Sequence, residues 1–257
     1  ALTNSTRTAE QTDIAYFWTD NFGVQWNRAI REIVGQHVPR IGDRARLFAL
    51  ANLAGADALI TAWDSKKHYF FWRPVTAIRN GELDGNPDTA GDSEWQSLVN
   101  NPNYPDYTSG ANNITGAMTR TLALFFGTDD MSFQVTSLAP LAVKKARTYA
   151  RFSAAAQQCV NARVYLGIHF RFADTAARKQ GEKVAEFVHD HFLLPVVNGA
   201  LQPEPVDLTQ ADGGLASQDV EAFVASRPGA GVPTTSGDLL RVVDRRRIAA
   251  QAVQQRH

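Results

Sequence analysis

The sequence predicts an all-α protein, a bundle of long antiparallel helices, on three observations. Apolar residues recur at three- and four-residue spacing through most of residues 8–196. Only residues 132–137 (SFQVTS) alternate as a strand would. The longest periodic stretch carries Ala51, Ala54, Gly55, Ala56 and Ala58, small residues that let helices approach closely. The helical domain is therefore placed at residues 8–196. Residues 197–257 form a Pro/Gly-rich C-terminal extension with two short helix-like pieces, 217–225 and 238–255.

Each element follows from local chemistry. Residues 1–7 are polar and expected to fray. Thr8 caps a first helix whose Ile14, Tyr16, Phe17 and Trp18 form a broad aromatic face. Asn21, Phe22 and Gly23 break it. A second helix, 24–34, carries Trp26, Ile30, Ile33 and Val34 on one side, and Pro39 and Gly42 close it. A long helix begins at Asp43 and runs to about Tyr69. Leu47, Leu50, Ala54, Ala58 and Thr61 make its stripe, with Leu53, Ile60 and Trp63 expected to widen it. Pro74 is expected to stop this helix, since proline lacks an N–H. Residues 80–103, rich in Gly, Asn, Pro and Asp, read as a long loop over a site. Ile114, Met118, Leu122, Phe125 and Phe126 define the next helix, capped by Thr108 or Ser109 and ended by Gly127. Further helices are expected over 142–168 and 173–192, the last ended by Pro195.

Composition narrows the function classes. The 257 residues are 44% hydrophobic and 20% charged, as in ordinary soluble globular chains. The 26 basic and 26 acidic side chains cancel, which gives no global pull toward nucleic acid or a membrane. Arg241, Arg245, Arg246 and Arg247 read as a solvated face or docking tail. The apolar part of the long helix, 47–63, contains Asn52 and Asp57, and is taken as a buried core helix, too short and polar for a membrane span. The single cysteine, Cys159, excludes an intrachain disulfide and a cysteine-rich metal site, and its context is that of a buried apolar residue. The chain opens on Ala1 with no basic-then-apolar leader, so a processed or partial chain is expected. Localisation stays open, an extracytoplasmic soluble protein being one expectation. The aromatic N-terminal helices fit either a core or the face of a homodimer.

Three segments concentrate polar chemistry. Lys66 precedes Arg73 by seven residues, about two helical turns, which would put both cations on one helix face. Ser109 and Gly110 lie at a helix start, where free N–H groups and the dipole favour an anion. Arg163 precedes His169 by six residues, so on one continuous helix the two would diverge by about 120°. A break near Gly167 would let them converge. Each segment alone has an ordinary reading: a snorkelling Lys with a C-terminal Arg, a Ser/Thr cap, a surface Arg with a core His. Together, two guanidiniums, an ammonium, a hydroxyl, a glycine N–H and an imidazole suit a tetrahedral oxyanion such as phosphate or vanadate. No HExxH, Walker loop, GxGxxG or GxSxG is present.

These motifs carry a resemblance. The sequence resembles the vanadium-dependent haloperoxidases and the related type-2 phosphatidic acid phosphatases, whose signature is K-x6-RP, then PSGH, then SR-x3-G-x-H-x3-D. Here Lys66 to Arg73-Pro74 completes the first part, Thr108-Ser109-Gly110-Ala111 stands for the second, and Ala162-Arg163, Gly167, His169 and Asp174 for the third. The wording HYFFWRPVTAIR, NYPDYTSG and RVYLGIHFRFAD is closer to the bacterial haloperoxidase-like branch than to the membrane lipid phosphatases, and the resemblance covers about residues 10–195. The resemblance implies a helical bundle of that type. It implies that Lys66, Arg73, Ser109, Gly110 and Arg163 hold vanadate, with phosphate as a competing oxyanion. His169 would ligate vanadium, or attack phosphorus in a phosphatase. Hydrogen peroxide, a halide and a small organic substrate would be the partners, with no nucleic acid and no membrane span.

Several positions depart from that pattern. The family's acid/base histidine is Ala111, which cannot move a proton, and such help is typically worth ~10²–10⁴ in rate. The aspartate expected to orient the histidine falls one residue late, as Asp174 behind Ala173. Thr108 and Ala162 replace the usual Pro and Ser. Asn112, Asp106, Tyr107 and His68 are candidates to take over the proton role. The leading expectation is a vanadate-dependent haloperoxidase-like enzyme of altered or reduced activity. The alternatives are a soluble acid phosphatase with His169 as nucleophile, or a non-catalytic oxyanion-binding homologue.

Overall fold

In the computed structural model, which describes residues 1–194, the first residues are held rather than frayed: Leu2 N–H donates to Gln96 O at 2.7 Å and Arg7 Nη1 to Ala1 O at 2.7 Å. Thr8 caps α1 (Ala9–Phe17) through a reciprocal box, its hydroxyl accepting from Gln11 N–H at 3.1 Å while Gln11 Oε1 accepts from Thr8 N–H at 2.9 Å. Asn21 then caps α2 (Phe22–His37), accepting from Val24 N–H at 3.1 Å. Phe17, Trp18 and Trp26 are fully buried and pack with Phe133, Tyr149 and Phe152. These aromatic side chains are thus part of the core.

The third helix, α3 (Ile41–Tyr69), runs 29 residues. Leu47, Leu50, Ala54 and Ala58 are buried as the periodicity requires. Leu53 (44% exposed), Ile60 (66%) and Trp63 (48%) do not widen that stripe. At about 100° per residue they stand roughly 105°, 125° and 175° from its centre, on the outer face. By length and composition alone Ile41–Arg79 is apolar enough to cross a membrane, which overturns the reading of this region as too short and too polar. Phe70, in a left-handed conformation, ends α3 before any proline is reached. Pro74 does not stop this helix; it occupies the first turn of α4 (Pro74–Arg79), where a missing N–H costs nothing. A 3₁₀ turn, Gly81–Asp84, interrupts the long loop that follows.

Helix α5 (Gly110–Phe126) lies at the centre of the bundle, against α3, α6 (Phe152–Leu166) and α7 (Arg171–His191). Its contact with α7 is the most extensive in the fold. Gly181 of α7 makes that contact possible, because a Cβ there would run into the backbone of α5 at Asn113 and Ala117. Gly127 ends α5 in a left-handed cap.

Between α5 and α6 the structure departs from expectation. β1 (Asp130–Thr136) pairs antiparallel with β2 (Ala146–Arg151), Phe133 opposite Tyr149 and Val135 opposite Arg147. Residues 146–151 are therefore strand and not the start of a helix over 142–168. Inward Tyr149 between outward Thr148 and Ala150 supplies the alternation. Asp13 pins the hairpin, accepting from Val143 N–H at 2.5 Å and from Arg147 Nη2 at 2.6 Å. Helix α7 ends at His191; Pro195, the two helix-like pieces and the arginines at 241–247 lie outside the described residues.

Candidate oxyanion site

Gly167 supplies the break that Arg163 and His169 need. It caps α6 with φ +74°, a conformation open to glycine, and the chain turns into α7 three residues later. A Cβ at Gly167 would lie 3.0 Å from the Trp95 ring, so the long loop does cover this turn. Leu98 N–H donates to Leu166 O at 2.9 Å and ties the loop to the end of α6. His169 is left between two helices, buried, beside Ile168 and Phe170.

Lys66 and Arg73 meet, though not along one helix face. Lys66 sits in the last turn of α3, while Arg73 lies past the left-handed Phe70 as the N-cap residue of α4. The turn brings both over the Tyr104 ring, Lys66 Nζ 5.2 Å and Arg73 Cζ 4.9 Å from its centroid. Lys66 Nζ donates to Pro105 O and Asp106 O, each at 2.8 Å. Arg73 donates from Nε to Tyr104 O and from Nη1 to Ile168 O, each at 2.7 Å. Arg163 donates from Nη1 to Trp18 O at 3.2 Å and lies over the Phe22 ring. It also forms part of the wall, with Ile168, Tyr16, Phe22 and Leu141, of a cleft of about 350 Å³.

The charges act on one another. Burial, with the Arg73 and Arg163 charges, pulls the Lys66 ammonium down to about 7 against the opposing pull of Asp106. Burial first, then the Arg73, Arg163 and Lys66 charges, holds the His169 imidazolium well below its ordinary value. His169 is thus kept neutral. Its Nδ1 pairs with Asp106 Oδ1, and Phe170 N–H donates to Asp106 Oδ2 at 3.2 Å. Burial, and then the Asp174 charge, raises the Asp106 carboxyl well above its usual range.

The sequence reading missed this pairing. It assigned orientation of the histidine to the third motif's aspartate, but Asp174 is engaged by α5: Asn112 Nδ2 donates to its Oδ1 at 2.8 Å, and the Ser109 hydroxyl lies against the same carboxyl. Burial pushes Asp174 up to about 7. Ser109 is the N-cap residue of α5, yet its hydroxyl makes no capping bond. The Thr108 hydroxyl does not cap either; it donates to Gln180 Oε1 and accepts from Asn113 Nδ2, both at 2.9 Å. Gly110 opens α5, and a Cβ there would meet Leu59 at 3.4 Å. Of the other candidates for the proton role, His68 is exposed with its ring edge on Tyr69, and Tyr107 packs on Tyr69 and Phe172 with its hydroxyl raised by burial. Cys159 is buried, its thiol pushed up to about 12, as expected of an inert core residue.

Two donors decide what the site fits. Arg73 Nη2 and Arg163 Nε are buried without a hydrogen-bond partner among the described residues. Buried charged donors left unmade are costly, and an oxyanion within reach of them would satisfy them. Among the described residues no group of three His, Cys, Asp or Glu is placed to ligate a metal cation. The donor set favours an anion.

Comparison with known proteins agrees with the architecture. A family profile described as the VCPO second helical-bundle domain matches residues 46–197. The vanadium chloroperoxidase of Curvularia inaequalis is 40% identical over 86 residues, which cover 30% of this chain and 14% of that protein. Among solved structures, a bacterial vanadium-dependent iodoperoxidase superposes with a TM-score of 0.62 at 29% identity, over 71% of this chain and 44% of that one. An apo-form bacterial vanadium-dependent chloroperoxidase superposes with a TM-score of 0.60 at 20% identity, over 73% and 45%, a likeness of fold. The chain spans less than half the length of these relatives.

Proposed function

This chain belongs to the family of the VCPO second helical-bundle domain, and from that premise we propose that it binds vanadate and serves a haloperoxidase-type oxidation of halide by hydrogen peroxide. The observation that carries the reading is the pair of buried guanidinium nitrogens, Arg73 Nη2 and Arg163 Nε, without hydrogen-bond partners among the described residues, on two arginines whose charges both act on a neutral histidine. Lys66, Arg73 and Arg163 would neutralise the oxyanion, with Ser109 and Gly110 at the start of α5 beside them. His169 would be the ligand. Bound vanadate would supply an electrophilic centre that activates peroxide without changing its oxidation state. The chain's own part is to concentrate positive charge, exclude water by burial, and present a neutral imidazole. Ala111 leaves the position next to Gly110 without an acid, so proton transfer is expected to be slow.

One observation favours a second reading. A buried neutral histidine paired with a carboxylate also suits a nucleophile toward a phosphoester. The test treats both. The purified chain is loaded with orthovanadate and assayed for bromination of a phenolic dye with peroxide, and separately for p-nitrophenyl phosphate hydrolysis without vanadate. Bromination abolished by His169→Ala supports the haloperoxidase reading, and hydrolysis abolished by it supports the phosphatase. A chain that binds neither vanadate nor phosphate refutes both. Ala111→His is expected to raise the bromination rate by up to ~10²-fold.

A further inference from the structure

We propose that Asp106 is the positioning residue of this site: its carboxylate fixes which nitrogen of His169 carries the proton, and its main-chain carbonyl holds the Lys66 ammonium. This rests on the oxyanion reading above.

The argument is geometric. Asp106 is fully buried, and both carboxyl oxygens are engaged, one by His169 Nδ1 and the other by Phe170 N–H at 3.2 Å. A side chain held at both oxygens has little rotamer freedom. Phe170 is the N-cap residue of α7, so the same carboxylate fixes both the ring and the backbone that follows it. In its ionised form, with Oδ2 accepting from Phe170 N–H, the Asp106 carboxylate can only accept at Nδ1, which makes Nδ1 the N–H nitrogen and leaves the lone pair on Nε2. That tautomer is the one a histidine needs as ligand or nucleophile at Nε2. Behind the side chain, Asp106 O and Pro105 O each take a hydrogen bond from Lys66 Nζ at 2.8 Å, and Asp106 N–H donates to Phe71 O at 2.8 Å. The segment after α3, the start of α7 and the ammonium of α3 therefore all register on one residue. Asp174, by contrast, is tied to Asn112 and Ser109 of α5.

The test compares two anions that share charge and shape but differ in their need for the histidine. Orthovanadate would use both the cations and a bond to His169; inorganic phosphate, held without turnover, would use the cations. Affinities of the full chain are measured by ⁵¹V NMR and by phosphate titration, and the His169 tautomer by ¹⁵N imidazole spectra, assigned with His169→Gln. The expected result is an Nδ1–H tautomer in the wild type. In Asp106→Ala that preference is lost and vanadate affinity falls ~10–100-fold, the usual cost of removing a partner behind a ligating histidine. Phosphate affinity changes less than about threefold, because the cations remain. Asp106→Asn keeps the size and an accepting oxygen, and should retain much of the tautomer preference; it also serves if the alanine variant does not fold. An unchanged tautomer and vanadate-to-phosphate ratio in folded Asp106→Ala overturns the proposal, as does equal loss of both anions in both variants. A wild type that binds neither anion refutes the function reading instead, and the nitrogen spectra then decide the role of Asp106 alone.

Discussion

The same chemical change, glycine to alanine, is expected to have opposite signs at two helical positions. Gly35 lies in α2, exposed, with nothing within 4 Å of an added Cβ. Alanine there relieves the unfavourable helix propensity of glycine, and Gly35→Ala should stabilise by about 0.5–1 kcal/mol. Gly181 lies in α7, where an added Cβ would meet the backbone of α5 at Asn113 and, at 2.9 Å, Ala117 N. Neither obstacle is the end of a flexible side chain. The helices must separate, and overpacking of this kind costs about 1–3 kcal/mol against the propensity gain. Gly181→Ala should lower the thermal midpoint by about 2–10 °C, at the few degrees per kcal/mol typical of this size. It should also loosen the Asn112–Asp174 bond, which crosses the same helix pair. Thermal unfolding followed by circular dichroism reads both variants. A Gly181→Ala protein as stable as wild type would refute the α5–α7 geometry.

Asp174, with its carboxyl raised to about 7, keeps a proton that the unfolded chain has already lost, so it makes stability fall as pH rises from the ordinary carboxylate range toward 7. The stability difference between Asp174→Asn and wild type, measured by urea unfolding without oxyanion, should therefore grow in favour of the variant by up to about 1.4 kcal/mol per pH unit over that window; parallel curves would refute it. Asp13→Ala leaves Arg147, 8% exposed, short of a near-buried partner and frees the Val143 N–H. A loss of about 3–5 kcal/mol is expected in the urea midpoint, and a loss under 1 kcal/mol would mean the pair is solvated.

Much of the fold was legible because helices advertise themselves locally. Leu47, Leu50, Ala54 and Ala58 lie at helical spacing in the sequence and face the core in the structure. The Thr8–Gln11 box could be read from four residues. What failed was non-local. Residues 146–151 gain their strand from pairing with 130–136, and no single window contains both partners. Pro74 marked a boundary correctly but its direction wrongly, because a proline favours a helix start as much as it forbids a continuation. For the candidate site, motif spacing singles out Lys66, Arg73, Arg163 and His169, whose charges act on one another in the structure. It could not show that the carboxylate on His169 comes from Asp106, 63 positions away, since Asp106 precedes its motif and has no periodic relation to the histidine.

That distance has a consequence for folding. Lys66 reaches 40 residues to Asp106, Arg73 95 to Ile168, and Arg163 145 to Trp18. These bonds of the three cations close long loops, and such contacts form late because their chain entropy is lost before they are rewarded. No partly folded chain would hold the three cations together. An oxyanion that needs all of them would bind the finished fold alone, adding about 2.7 kcal/mol to its stability at a hundred times the dissociation constant. Such an anion would shift a refolding equilibrium toward the native chain while leaving the rate of reaching it almost untouched.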